Sequence, residues 1–375
     1  MLLHKSVEFD SRVRREASAL AAAEHEVIVL ELSEVPDADR TLDGFTRYPC
    51  LPPAWVRQKL PIPIYRSLML LSFVTAIVKI RPDVVHAHDA AMLLPGLVGA
   101  RLTGARLVYD SHELATSVPY RERAWEWFVG AIERAVIPRC AAVITVSDGI
   151  AARLRERYRL SATPTVVRNV SALEANGTGA LRLSLGLGPE VPLVLHQGAP
   201  APDRGCEALV AAAALLDDVH VVFLGDPEPG YGEGLSELIR RRGVGDRVTL
   251  LPSVSLDDLL AHTAEADVGV TLLQDTCENH RLALPNKVFE YIAAEVPVVA
   301  SALPEVQRLI DVYGIGWCVA PGDPVELAQA LSRGLNARHD PELAGRLARA
   351  SAELRWSLEQ TRLLELYAEL AGELG

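Results

Sequence analysis

The chain has 375 residues, 49% apolar and 23% charged, which describes a folded protein rather than a disordered one and one too long for a single ordinary core. A net charge of −12 excludes a general nucleic-acid-binding surface, because such surfaces need clustered Lys and Arg. The five cysteines are scattered, odd in number and never in a C-x-x-C arrangement, so they read as reduced thiols of a cytoplasmic protein.

MLLHKSVEFD has a charge in place of an apolar core of signal-peptide length, so no export signal is expected. SRVRREASALAAAE is helical in composition, and EVIVLEL (Glu26 to Leu32) is a strand with a nearly continuous apolar run, which implies a parallel sheet. Only Met1 to Leu3 remain for the strand that should precede that helix; the first strand looks clipped, as a misassigned start would make it. Asp37-Ala38-Asp39 reads as a solvated turn rather than a metal motif. The longest apolar run, Ser67 to Ile80, contains Lys79 and falls short of the roughly 20 residues that span a bilayer. It is read as a core helix in preference to a membrane-docking one. A strand, helix, strand rhythm follows through DVVHAHD, RLVYDSHE, AAVITVSDGI and PTVVRNV.

Between Ser171 and Glu190 the chain loses its apolar strands and gains Gly, Asn and Thr, which places a domain boundary there. The rhythm then repeats through PLVLHQG, HVVFLGD, RVTLLPSV and DVGVTLL to RLALPNKVFEYIAAEVPVVASALP. Two doubly wound α/β lobes facing a cleft are the expected architecture. Residues Trp356 to Leu370 form one amphipathic helix.

The most informative stretch is Arg281 to Pro304. Pro285 suits the first turn of a helix whose apolar face is Val288, Phe289, Ile292 and Ala293, leaving Asn286, Lys287 and Glu290 on the other side. The free N–H groups of a helix start favour an anion, and a carboxylate such as Glu290 can accept from both hydroxyls of a ribose; a helical Lys287–Glu290 salt bridge is the plainer alternative. In HQGAPAPDRGCEAL, Gly198 ends a strand and lets the backbone approach a phosphate, while Arg204 offers a donor fork before the next helix.

LPNKVFEYIAAEVPVVAS, HQGAPAPDRGCEAL, LLPSVSLDDLL and ADVGVTLL resemble the nucleotide-sugar half of the retaining glycosyltransferases of family 4, which have the GT-B fold. FDSRVRREASALAAAEHEV, DVVHAHD, VYDSHEL and ITVSDGIA resemble their first half, and RWSLEQTRLLELY their last helix. The resemblance implies an acceptor-binding Rossmann-like domain over 1–175, a nucleotide-sugar domain over 190–352, and a helix over 353–375 that crosses back to the first. It places the ribose-holding carboxylate on Glu290, phosphate-binding groups on Gly198, Arg204 and Lys287, and the histidine near the reacting sugar on His112. It implies hexosyl transfer from a nucleoside diphosphate sugar to a small-molecule or glycan acceptor, with retention, without metal or other cofactor. The Ala- and Arg-rich composition points to a GC-rich bacterium. No nucleic-acid partner and no transmembrane segment are expected, with peripheral membrane contact left open.

The chain departs from the family pattern at three places. Leu282 stands where many members carry a glutamate eight residues before the ribose carboxylate, which moves donor-sugar recognition onto Asn279, His280 and Arg281. Ala199 stands for an arginine, and Glu295 for a glycine. His86 and His88 are placed on opposite faces of their strand with no third ligand at metal spacing, so no zinc site is expected. A non-catalytic nucleotide-sugar-binding subunit and a GT-B-fold epimerase are the competing readings.

Overall fold

The computed structural model describes residues 1–33, 35, 40–50, 59–119, 123–171 and 179–372. The Asp37-Ala38-Asp39 turn and residues 172–178 of the expected boundary lie outside the described residues. The chain divides into two units, Met1–Arg168 together with Glu359–Gly375, and Asn169–Leu358.

The first unit carries strands β1 (Leu2–Leu3), β2 (Ile28–Glu31), β3 (Thr41–Leu42), β4 (Phe45–Pro49), β5 (Val84–His88), β6 (Arg106–Ser111), β7 (Ala142–Thr145) and β8 (Thr165–Val166). Its helices are α1 (Ser11–Ala22), α2 (Ile62–Ile80), α3 (Asp89–Thr103), α4 (Arg123–Val136) and α5 (Asp148–Tyr158). The strands form one sheet in the order β3-β4-β2-β1-β5-β6-β7-β8, parallel except for the β3–β4 pair. The β3–β4 hairpin is an addition to the sequence reading, which placed no strand between residues 33 and 60. The first strand is two residues long and lies mid-sheet, Leu2 opposite Leu30 on one side and Ala87 on the other. Its α-amine donates to Ile28 O at 2.8 Å, and burial lowers that amine to about 5. A cavity of about 330 Å³ lies beside it, lined by Leu20, Val27, Ile77, Pro82 and Tyr367 among others.

The second unit begins with α6 (Leu181–Ser184) and alternates β9 (Leu193–Gln197), α7 (Cys206–Ala213), β10 (His220–Leu224), α8 (Tyr231–Arg241), β11 (Val248–Leu251), α9 (Leu256–Thr263) and β12 (Val268–Thr271). It continues through α10 (Glu278–Leu282), α11 (Asn286–Ala293), β13 (Val298–Ser301), α12 (Pro304–Tyr313), β14 (Gly316–Val319), α13 (Pro324–Asn336) and α14 (Pro341–Glu353). The parallel order β11-β10-β9-β12-β13-β14 reverses direction between β9 and β12, and in open α/β sheets such a switch point is where ligands bind. Successive strand residues feed opposite faces. Leu193, Leu195, Val298 and Ala300 pack with Val288, Phe289 and Ile292 of α11. Val194, Val221, Phe223 and Val299 pack with Leu209, Val210 and Leu331 on the other side. This two-sided burial is why the strands read as continuous apolar runs.

The last helix, α15 (Trp356–Gly372), belongs to the first unit from Glu359 onward. Buried Glu359 accepts from Arg168 N at 2.9 Å, and Tyr367 Oη lies 2.9 Å from His86 Nδ1. Leu358 faces outward at 46% exposure, although its apolar side chain suits the inner face, and Glu359 takes the inner place.

The apolar helix is not a core helix, because only 22% of its most apolar window is buried; hydropathy reports what a helix is made of and not what covers it. His86 and His88 do not point to opposite faces. Residues two apart on a strand share a face, and the two rings stack with centroids 4.2 Å apart.

Glu295, just past α11, has φ +56, a left-handed conformation that costs an L side chain roughly 1 kcal/mol. Glu295→Gly is therefore expected to stabilise the second unit by about 1 kcal/mol less the extra chain entropy of glycine. Denaturant unfolding monitored by circular dichroism checks this; a loss of stability would show that the Glu295 side chain contributes more than its backbone costs.

Candidate active site

The second unit gathers its charged groups where β9 ends. Gly198 follows β9 with φ +92, its N–H donating to Leu224 O at 2.7 Å. A Cβ there would lie 2.6 Å from Lys287 Cε and 2.8 Å from Nζ, so a larger residue would push the lysine tip off the strand end, and the positive φ itself favours glycine. Gly225, after β10, is equally constrained, since its Cβ would meet the Gly198 carbonyl carbon at 2.6 Å. The loop from Gly198 to α7 carries Arg204 and is fixed by Gln274 N donating to Asp203 O at 2.8 Å. Among the described residues no carboxylate forms an ion pair with Arg204.

Lys287 sits in the first turn of α11, which Pro285 opens as its N-cap. Burial is the main reason its ammonium falls to about 8, the nearby Arg204 lowers it further, and Glu290 acts in the opposite direction. A buried lysine whose charge is opposed by a neighbouring cation is a place prepared for an anion. Glu290 does not close on Lys287 as a helical salt bridge; its Oε2 accepts from Gln197 Nε2. Gln197 Oε1 in turn accepts from Thr263 Oγ1 at 2.6 Å, so a chain of side chains from β9 and α9 aims the carboxylate. Tyr291, next along α11, is fully buried, accepts from Gln197 N at 3.0 Å and lies 2.9 Å from Leu195 O. Its ring fits because residue 269 is glycine, where a Cβ would meet Tyr291 Cδ1 at 2.3 Å. Gln197, Thr263 and Tyr291 escaped the sequence reading, although Gln197 stands beside the glycine it singled out.

Of the expected sugar-side residues, Asn279 is buried within α10, whereas Arg281 is 55% exposed and engaged by Asp275 at 3.1 and 3.0 Å. Ser301, ending β13, has a buried Oγ without a hydrogen-bond partner among the described residues.

In the first unit, His112 follows β6. Its Nε2 lies 3.3 Å from Asp110 Oδ2 and 3.2 Å from His88 Nδ1, and its Nδ1 lies 3.5 Å from Asp89 Oδ2. Burial opposes ionisation of His112, but Asp89 and Asp110 outweigh it and hold the imidazole up at about 9. Asp89 reaches it from a left-handed backbone, φ +61, at the head of α3. Strain of that kind persists where the surroundings over-determine it and often marks a functional site. Asp110 is fully buried and bidentate with Arg12, at 2.8 and 3.0 Å. Burial alone would raise its carboxyl, but Arg12 and His112 keep it well below the ordinary range.

Beneath this lies a closed polar cluster. Glu16, His86, His88 and Asp110 have ligand atoms within 4.8 Å of one another, the composition of a metal site that the misjudged strand parity had excluded. The cation at its heart is Arg12, which also lies 3.0 Å from Glu16. Burial, against the pull of Arg12, pushes the Glu16 carboxyl up to about 8. A guanidinium in that position opposes a second cation, and the cluster reads as the support that fixes Asp110 and through it His112.

Because His112 is held above its ordinary 6.5, its ionisation stabilises the first unit fully below pH 6.5, and the contribution disappears as pH rises through about 9. His112→Gln should flatten the pH dependence of stability across that window. Parallel unfolding profiles for the variant and the parent protein would contradict the pairing with Asp89 and Asp110.

The sequence profile described as Glycosyltransferase Family 4 matches residues 11–170, and the one described as Glycosyl transferases group 1 matches residues 191–337. The chain belongs to glycosyltransferase family 4. Among its relatives, a D-inositol 3-phosphate glycosyltransferase of Mycolicibacterium gilvum is 32% identical over 45% of this chain and 37% of its own length. A sulfoquinovosyl transferase of Arabidopsis thaliana is 27% identical over 90% of this chain and 66% of its own. The chain therefore spans less than two thirds of the curated relatives it matches first. In fold it is similar to a sucrose-phosphate synthase of Thermosynechococcus elongatus, with TM-score 0.79 and 20% identity over 99% of both chains. It is also similar to Anabaena HepE solved with UDP, with TM-score 0.75 and 18% identity over 98% and 99% of the two chains. These likenesses establish the GT-B architecture of this family 4 chain.

Proposed function

We propose that the protein transfers a hexosyl group from a nucleoside diphosphate sugar to a hydroxyl acceptor, with retention at the anomeric carbon and without a metal ion. The observation that carries this is the grouping of Arg204, Lys287 and Glu290 around Gly198, at the switch point of the second sheet. The bond from the anomeric carbon to the diphosphate breaks, one to the acceptor oxygen forms on the same face, and the acceptor proton passes to the departing diphosphate. Negative charge grows on the leaving group, so fixed cations at that position lower the barrier most. Arg204 and Lys287 supply them, Glu290 holds the ribose, and Asn279, with the loop around Arg281, selects the donor sugar. His112, charged and held by Asp89 and Asp110, is the first unit's group for orienting the acceptor. The protein HepE, solved with UDP and with UDP-glucose, has the same fold and suggests a uridine donor as the first to try. Five free cysteines fit a reducing cytoplasm.

The test is a panel of nucleoside diphosphate sugars with the purified protein in a chelating buffer. Release of nucleoside diphosphate, slow without acceptor, is the expected result, and the proton coupling at the anomeric position of a transferred product should match that of the donor. Tight donor binding with no turnover of any donor would favour the non-catalytic reading. Inversion, or activity abolished by the chelator, would overturn the mechanism.

A further inference from the structure

We propose that the first unit docks on an anionic lipid bilayer through the outer face of α2 and the start of α4. A surface helix ordinarily turns charged side chains outward. In α2 the outward positions Ile64, Leu68, Leu71 and Val78 recur at helical spacing and are 50%, 42%, 62% and 39% exposed. The inward side, Tyr65, Phe73, Ala76 and Ile77, is buried, and Ile77 packs so tightly that a Cβ on Gly99 of α3 would meet its Cδ1 at 2.4 Å. A helix fixed to protein along one side cannot be surrounded by lipid, so α2 lies on a membrane rather than across it.

The apolar surface continues beyond α2. The Arg66 guanidinium stacks over Trp125 of α4 at 4.5 Å, and in the same turn of α4 Trp127 and Phe128 are 75% and 43% exposed. Amphipathic rings and long basic side chains beside an apolar stripe are the chemistry of the headgroup boundary.

Charge selects the occupant. From Lys59 to Arg81 the sequence carries Lys59, Arg66, Lys79 and Arg81 and no acidic residue, and at the start of α4 Glu126 is offset by Arg123, so the face stays net positive in a chain of net charge −12. Pairing this face with its counterpart on a second copy would bring cations against cations, whereas an anionic leaflet attracts them. The docking does not depend on the sugar-transfer reading, since it concerns a surface that the donor residues do not share.

Sedimentation with vesicles tests it. The protein should pellet with phosphatidylcholine vesicles containing phosphatidylglycerol, less with phosphatidylcholine alone, and less again as salt is raised. Leu68→Glu combined with Leu71→Glu should lower partitioning at least about tenfold. Val312→Glu, at an equally exposed apolar position of the second unit, should leave it unchanged. Should the double variant lose its circular dichroism signature, Arg66→Glu with Lys79→Glu provides the same readout through charge. The proposal is overturned by parent protein that stays in the supernatant with anionic vesicles, or by variants that partition equally. It is overturned as well if the parent protein is a dimer in solution that the double variant converts to monomer without any vesicle binding.

Discussion

Replacing Glu290 with alanine is expected to weaken nucleoside diphosphate binding by roughly 100-fold or more, measured by isothermal titration. Hydrogen bonds from hydroxyls to a charged acceptor contribute about 1.5–3 kcal/mol each, and a ribose offers two, so the loss passes the ~1.4 kcal/mol that corresponds to tenfold more than once. The side chain is half-buried and pre-aimed by Gln197 and Thr263, so little ordering cost offsets that gain. Glu290→Gln keeps the shape but not the charge and should fall between the two. A 2′-deoxyribose nucleotide should lose affinity for the parent protein and much less for Glu290→Ala. Unchanged affinity in the alanine variant would refute the ribose role.

The largest effect on stability is expected at Arg12. Arg12→Met should destabilise the first unit by about 3–5 kcal/mol, because it leaves buried Asp110 ionised without its partner. That corresponds to a fall in Tm on the order of 10 °C for a unit of this size. Asp110→Asn on the same background should cost less than the sum of the two single changes, since the second substitution removes the uncompensated charge. The same double variant should bring His112 down from about 9, because one of its two carboxylates is gone. Additive effects would mean that the pair is not coupled and that the cluster beneath His112 stands on other contacts.

What the sequence made legible, and what it hid, follows the range of the interactions. The helix of Lys287 and Glu290 and the strand after it could be read from a proline start, one apolar stripe and a β-branched run, all local signals. Glycines at strand ends were legible for the same reason. Gln197, Thr263 and Glu290 meet from positions 66 and 93 residues apart, and no local spacing announces such a network. Tyr291 lies outside the apolar face that local spacing defines on α11, and only the glycine opposite it shows why a tyrosine fits. The cluster of Glu16, His86, His88 and Asp110 was hidden partly by distance and partly by a mistaken strand parity. The exposed side of α2 was hidden because an apolar helix reads alike whether protein covers it or not. Leu282 and Ala199 leave the donor-sugar contacts to side chains whose roles local pattern does not assign, and Arg281 is already engaged by Asp275.

The most direct measurement is a crystal structure of the protein with a bound nucleoside diphosphate. The predicted result is a ribose whose two hydroxyls meet Glu290, with the diphosphate on Arg204 and Lys287 beside Gly198 and no metal between them. A nucleotide bound away from the end of β9, or a ribose turned from Glu290 with a metal ion holding the phosphates, would contradict the account.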